Sequence, residues 1–129
     1  MYKEIIICSI VIIVVVGLNI ITENYTKESI ALMNDDLERL KENMLLEEQN
    51  EENINTQIDN IVNNWNDRHK KLAYYIEHDE LEKVKTELVL LKGNIEVKEY
   101  EQGIPNVNNC IFILEHIKEK TALQIKNIF

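Results

Sequence analysis

The chain has 129 residues, room for one small domain. Its formal net charge of -9 leaves no basic face for phosphates, so nucleic acid is not an expected partner. With 3 glycines and 1 proline there is little turn chemistry to join many short strands, and long helices are favoured.

The first element is "IIICSIVIIVVVGLNII", Ile5 to Ile21, which holds no charged residue. As a helix it rises about 26 Å, at the low end for crossing a bilayer. Other readings fit less well. A cleaved signal peptide wants small residues at its processing site, and "VVG", Val15 to Gly17, is followed by more apolar residues. A lipoprotein signal wants a small residue before its cysteine, but Ile7 precedes Cys8. A buried core helix would need an apolar shell, and the rest of the chain is strongly charged. The sequence therefore predicts an uncleaved anchor over 1–22, meeting the membrane through residues 5–21. Lys3 and the short N-terminal segment favour an inside N-terminus. That places 23–129 outside the cytoplasm, on a single-pass protein of the cell membrane. Cys8 in the span and the distant Cys110 form no disulfide framework and no zinc spacing.

Beyond the span, Thr26 is a plausible N-cap. Ile30, Met33, Leu37, Leu40 and Met44 follow at spacings that fill one narrow helical face. The acid- and amide-rich "EEQNEEN", Glu47 to Asn53, interrupts the stripe and is read as a bend. One continuous helix is the alternative, since the register survives the gap. A second amphipathic helix is predicted from about Glu52 to Glu77, with Ile54, Ile58, Ile61, Trp65, Leu72 and Ile76 as its stripe and Val62, His69 and Tyr75 beside it. "EHDE", Glu77 to Glu80, reads as the next turn, with Asp79 as cap of a third helix carrying Leu81, Val84, Leu88, Leu91 and Ile95. "EYEQGIP", Glu99 to Pro105, holds the Gly and Pro punctuation and reads as a loop. The fourth helix then carries Val107, Cys110, Ile111, Leu114 and Ile117. After Thr121, "LQIKNIF" alternates in polarity like an extended segment. This C-terminal tail, with Leu123, Ile125, Ile128 and Phe129, is expected to lie back on the bundle near the turn between the second and third helices.

The fold class expected is all-α: an N-terminal transmembrane helix followed by an antiparallel bundle of three to four helices. A two-chain coiled coil is the rival, but the turn signals favour folding back.

The most chemically suggestive stretch is "WNDRHKKLAYYIEHDELEKV", Trp65 to Val84. Trp65 lies on the apolar stripe and reads first as core, with a ligand-stacking platform as the sharper alternative. His69 shares its face four residues on. In a folded-back bundle His69 and His116 fall near mid-height, and with Glu115 or Glu87 they suggest a metal site. Exposed or singly bonded histidines are the plainer reading, and no metal or other cofactor is expected. Ser9 and Ser29 lack a nucleophile elbow, no phosphate-cradling glycine loop occurs, and Cys110 reads as a small core residue.

The order of these features resembles domain-of-unknown-function family 4363. An apolar anchor is followed by the helix bearing Trp65, then "AYYI", "HDELEKV", "LEHI" at Leu114 to Ile117, and a closing "LQIKNIF". The resemblance covers nearly the whole chain. It implies a short single-span helical protein of Gram-positive, often spore-forming, bacteria, and it carries no activity. The loop near Gly103–Pro105 and the Asn-rich start of the last helix depart from the acidic helix usual there. The function expected is interaction at the cell surface without catalysis, with another membrane or envelope protein as partner. The alternative is a small-ligand sensor with an aromatic pocket near Trp65, formed with His69 and His116.

Overall fold

The computed structural model describes residues 1–128. Four helices run in chain order: α1 (Tyr2–Met44), α2 (Glu51–Leu72), α3 (His78–Glu96) and α4 (Tyr100–Ile128). No strand occurs among the described residues. The helices form an antiparallel bundle in which α1 and α3 each pack against both α2 and α4, while α2 and α4 lie diagonally opposed. The chain folds back on itself, so the heptad-like stripes close a core within one chain.

The stripes expected from spacing are buried except at Ile76, which falls in the turn after α2, and Ile111, both of which are only partly buried against the core. Ile30, Met33, Leu37, Leu40 and Met44 of α1 meet Ile54, Ile58, Ile61, Trp65 and Leu72 of α2 in one core. Leu81, Val84, Leu88, Leu91 and Ile95 of α3 join them, with Val107, Cys110, Leu114 and Ile117 of α4. Burying a large aliphatic side chain contributes about 1.5–3 kcal/mol, so these four stripes drive the fold.

Helix ends depart from the sequence reading in instructive ways. No helix starts at Thr26. The span and the first amphipathic helix are one element of 43 residues, unbroken from Tyr2 to Met44. Thr26 needs no capping role, because its hydroxyl donates to the Thr22 carbonyl at 2.7 Å inside that helix. The bend at Glu47 is present, narrower than expected, between Met44 and Glu51. There Asn50 caps α2 by accepting from the Asn53 N–H at 3.1 Å. α2 ends at Leu72 rather than Glu77, and residues 73–77 form the turn. Helix α3 begins at His78 after Glu77, whose side chain makes no cap, so Asp79 lies inside the first turn. Its charge still favours the positive end of the helix dipole.

The largest correction concerns Glu99–Pro105. The break between α3 and α4 lies earlier, at residues 97–99, and Tyr100 already begins the last helix. Lys98 adopts φ 61°, the one non-glycine positive φ among the described residues. Glu99 N–H donates to the Asn94 carbonyl at 2.8 Å and Lys98 N–H to the Ile95 carbonyl at 3.0 Å. That is a Schellman ending, built with lysine where glycine is usual. Gly103 and Pro105 then lie within the first two turns of α4. Proline there removes only one helical hydrogen bond. Glycine at 103 permits close helix approach: a Cβ would stand 2.8 Å from Met44 Cε and 3.2 Å from Leu91 Cδ1. The segment from Leu123 onward continues as helix through Ile128 instead of turning extended. The side chains of Ile125 and Ile128, and the whole of Phe129, lie outside the described residues.

Candidate functional site

The residues singled out by sequence separate in the structure. Trp65 is 2% exposed and packs in the core. Its indole meets the His69 ring edge-on, with centroids 6.1 Å apart. Both rings keep a buried nitrogen, Trp65 Nε1 and His69 Nε2, that has no hydrogen-bond partner among the described residues. His116 is exposed on α4, the helix diagonal to α2, so the bundle does not bring the two histidines together. The carboxylates considered with them are engaged elsewhere. Glu115 accepts from Asn34 Nδ2 at 2.7 Å and pairs with Lys118 at 2.9 Å. Glu87 accepts from Asn106 Nδ2 at 3.0 Å. No group of three or more His, Cys, Asp or Glu placed to hold a metal ion occurs among the described residues.

A denser constellation lies at the end of the bundle nearest the apolar run. The turn after α2 swings Tyr75 against α1, where its hydroxyl lies 2.7 Å from Thr26 Oγ1 and donates to the Thr22 carbonyl at 3.2 Å. Burial pushes the Tyr75 phenol above its ordinary range, opposed by the bond from Thr26 and reinforced by Tyr25. Beside Thr26 on α1, the Tyr25 ring is faced by two cations of α2, with Arg68 Cζ 5.8 Å and Lys71 Nζ 5.5 Å from its centroid. Such contacts contribute about 0.5–1 kcal/mol at exposed sites. Arg68 also donates to Ser29 Oγ at 2.8 Å. These groups bind α1, α2 and the following turn into one clasp. The "AYYI" stretch carried the signal for it, but which helix Tyr75 would meet depends on the length of the turn.

Away from this end the surface is built for solvation and for register. The groove between α2 and the end of α3 is lined by Glu51, Asp59, Lys92 and Lys98, with Lys92–Asp59 and Lys98–Glu51 pairs across it at 3.3 and 3.2 Å. Pairs so exposed contribute at most about 1 kcal/mol each. Asn94 donates to Asn106 Oδ1 at 2.9 Å, and Asn106 donates on to Glu87, tying α3 to α4. Cys110 is fully buried, and burial, with Glu87 nearby, pushes its thiol up to about 12. A thiol held neutral in this way is inert as a nucleophile.

Comparison with curated proteins and with solved structures finds no match. A family model does match, and its boundary is informative: it begins at residue 20, where the apolar run ends, and continues to residue 128 through all four helices of the bundle. With the greater part of the chain covered, the protein belongs to the DUF4363 family, a domain of unknown function.

Proposed function

We propose that this protein is a membrane-anchored helical bundle that acts by holding a partner at the cell surface, without catalysis. The observation that carries the reading is the single helix α1. Its charge-free stretch has a mean hydropathy of 3.0 over its most apolar window and no residue of that window is buried by the bundle. An unshielded stretch of that kind is stable in a bilayer and not in water. The same helix then supplies a full quarter of the core, so membrane attachment and folding share one element. Lys3 at the N-terminal side supports placing the bundle outside the cytoplasm. The partner class is another membrane or envelope protein.

The test is fractionation of the intact protein. It should sediment with membranes at full mass, and protease added to intact protoplasts should digest the bundle. A soluble protein with a mature N-terminus beyond residue 16 would overturn the anchor, and full protection would reverse the orientation. A ligand-binding bundle centred on Trp65 has one supporting feature, the two unpartnered ring nitrogens of Trp65 and His69. Trp65 is closed in the core, so that reading requires the helices to part.

A further inference from the structure

We infer that the last turns of α4, with the turn between α2 and α3, form a second membrane contact, so that the bundle sits on the lipid surface instead of standing off it. The inference rests on the anchor reading above.

Three observations converge on it. The first is register. Asn34 bonds Glu115 and Lys41 bonds Asn108, and these two pairs hold one antiparallel register between α1 and α4. Carried to the end of α4, that register sets Ile128 level with Ile21, the last residue of the charge-free run. Helix α4 therefore does not stop short of the span. It descends to where the span ends.

The second is coverage. Along most of the run the side chains of α1 stand open, with Ile10 55%, Ile13 70% and Ile21 64% exposed. Yet Asn19, two residues before the end of the run, is already half-buried, with its side-chain nitrogen closed off from solvent. The body of the bundle thus reaches past Thr22 to the last residues of the apolar segment. Tyr75, bonded to the Thr22 carbonyl, brings the α2–α3 turn to the same height.

The third is length. The run from Ile5 to Ile21 rises about 26 Å against a hydrocarbon thickness of about 30 Å. A short span draws its flanks toward the bilayer. Whatever lies level with Ile21 is then held in the interfacial layer. Residues exposed within about 8 Å above that level suit that layer. Tyr74 is 89% exposed on the turn, and Leu123, level with Thr26 in the same register, is 58% exposed on α4, with Lys126 exposed one turn nearer the span. Tyrosine, lysine and an exposed apolar side chain are residues that settle at a headgroup boundary. In water, Leu123 and Tyr74 would be unaccompanied apolar surface; against lipid they are anchors.

The experiment uses the full chain in lipid vesicles, with an environment-sensitive fluorophore on single cysteines. Cys8→Ala removes the cysteine of the run, and the buried Cys110 does not compete for label. Leu123→Cys and Tyr74→Cys report the contact, Ile12→Cys reports the anchor, and Val97→Cys, 64% exposed in the native chain at the opposite end, reports water. Positions 123 and 74 should show blue-shifted emission, quenched more by lipids bearing a quencher near the headgroup than by lipids bearing it midway down the acyl chain. Position 12 should show the reverse order, and position 97 neither shift nor quenching. If 123 and 74 behave like 97 while 12 is quenched, the second contact is wrong and the anchor stands. If position 12 also reports water, both readings fall.

Discussion

Truncating Trp65 tests whether the centre of this molecule is packing or a pocket. Trp65 is 2% exposed, and Ile61 and Leu72, which flank it on the same stripe, are equally closed. Trp65→Ala therefore opens a large cavity in a core that cannot collapse around it, at a cost of about 3–5 kcal/mol. For a bundle of this size each kcal/mol lowers the melting temperature by roughly 4–8 °C, so a fall of about 12 °C or more is expected. Trp65→Phe sharpens the test. The smaller ring forfeits about 1–2 kcal/mol of packing, but it also removes an indole N–H that is buried without a partner, a burden of about 1–3 kcal/mol. The two changes nearly cancel, and the phenylalanine variant should melt close to the parent. The assay is thermal and denaturant unfolding of the intact chain in mild detergent, followed by far-UV circular dichroism. If Trp65→Ala melts unchanged, the side chain is not enclosed and the ligand-platform reading returns. If Trp65→Phe is as damaging as Trp65→Ala, the indole nitrogen has a partner that the helices alone do not supply.

Three further outcomes are expected. Lys98→Gly should raise stability, because a side chain in the left-handed region costs about 1–2 kcal/mol that glycine avoids, while the exposed pair to Glu51 contributes little; denaturant midpoints decide it, and a loss would mean the lysine is needed at that ending. The Cys110 thiol is pushed from 9.0 to about 12, so the folded state keeps a proton that the unfolded state loses. That stability is intact below the ordinary thiol value and is lost as pH rises through this window, so denaturant midpoints should fall between about pH 9 and about pH 12, and less so in Cys110→Ala. Tyr75→Phe removes the hydroxyl shared with Thr26 and the Thr22 carbonyl and should cost about 1 kcal/mol, read as faster amide exchange at the α2–α3 turn.

The core was legible because helical spacing is a long-range signal. The stripes from Ile30 to Met44 and from Leu81 to Ile95 repeat often enough that no strand could present them on one side. What failed was punctuation. Gly103 and Pro105 look like a loop, yet α4 runs on through Pro105 in its second turn, at the loss of one helical hydrogen bond, and glycine also serves close helix packing. The actual break falls at Lys98, a residue type that announces nothing. Thr26 resembles a cap because nothing in the sequence says that the span and the bundle share one helix. "LQIKNIF" is too short to separate alternation from helical spacing, since Leu123 and Lys126 suit either. Whether the histidines pair was illegible for a different reason. Whether His69 and His116 meet depends on which helices are neighbours, and spacing along a chain does not encode that order around a bundle.

If the apolar run spans a membrane as proposed, and to the extent that the second contact lets the bundle tilt, the unbroken α1 would act as a lever. It crosses from the apolar run into the core with no turn, no proline and no exposed linker, so its two halves move as a unit. From Ile21 to Met44 the arm is about 35 Å long. Transmembrane helices tilt by about 20° on average to match the thickness of their bilayer, and such a tilt would carry the far end of the arm about 12 Å sideways. The α1–α2 and α3–α4 turns ride on that end. Local membrane thickness would thus be converted into the lateral position of the outermost turns, a mechanical readout that a flexible linker in place of residues 19–26 would erase.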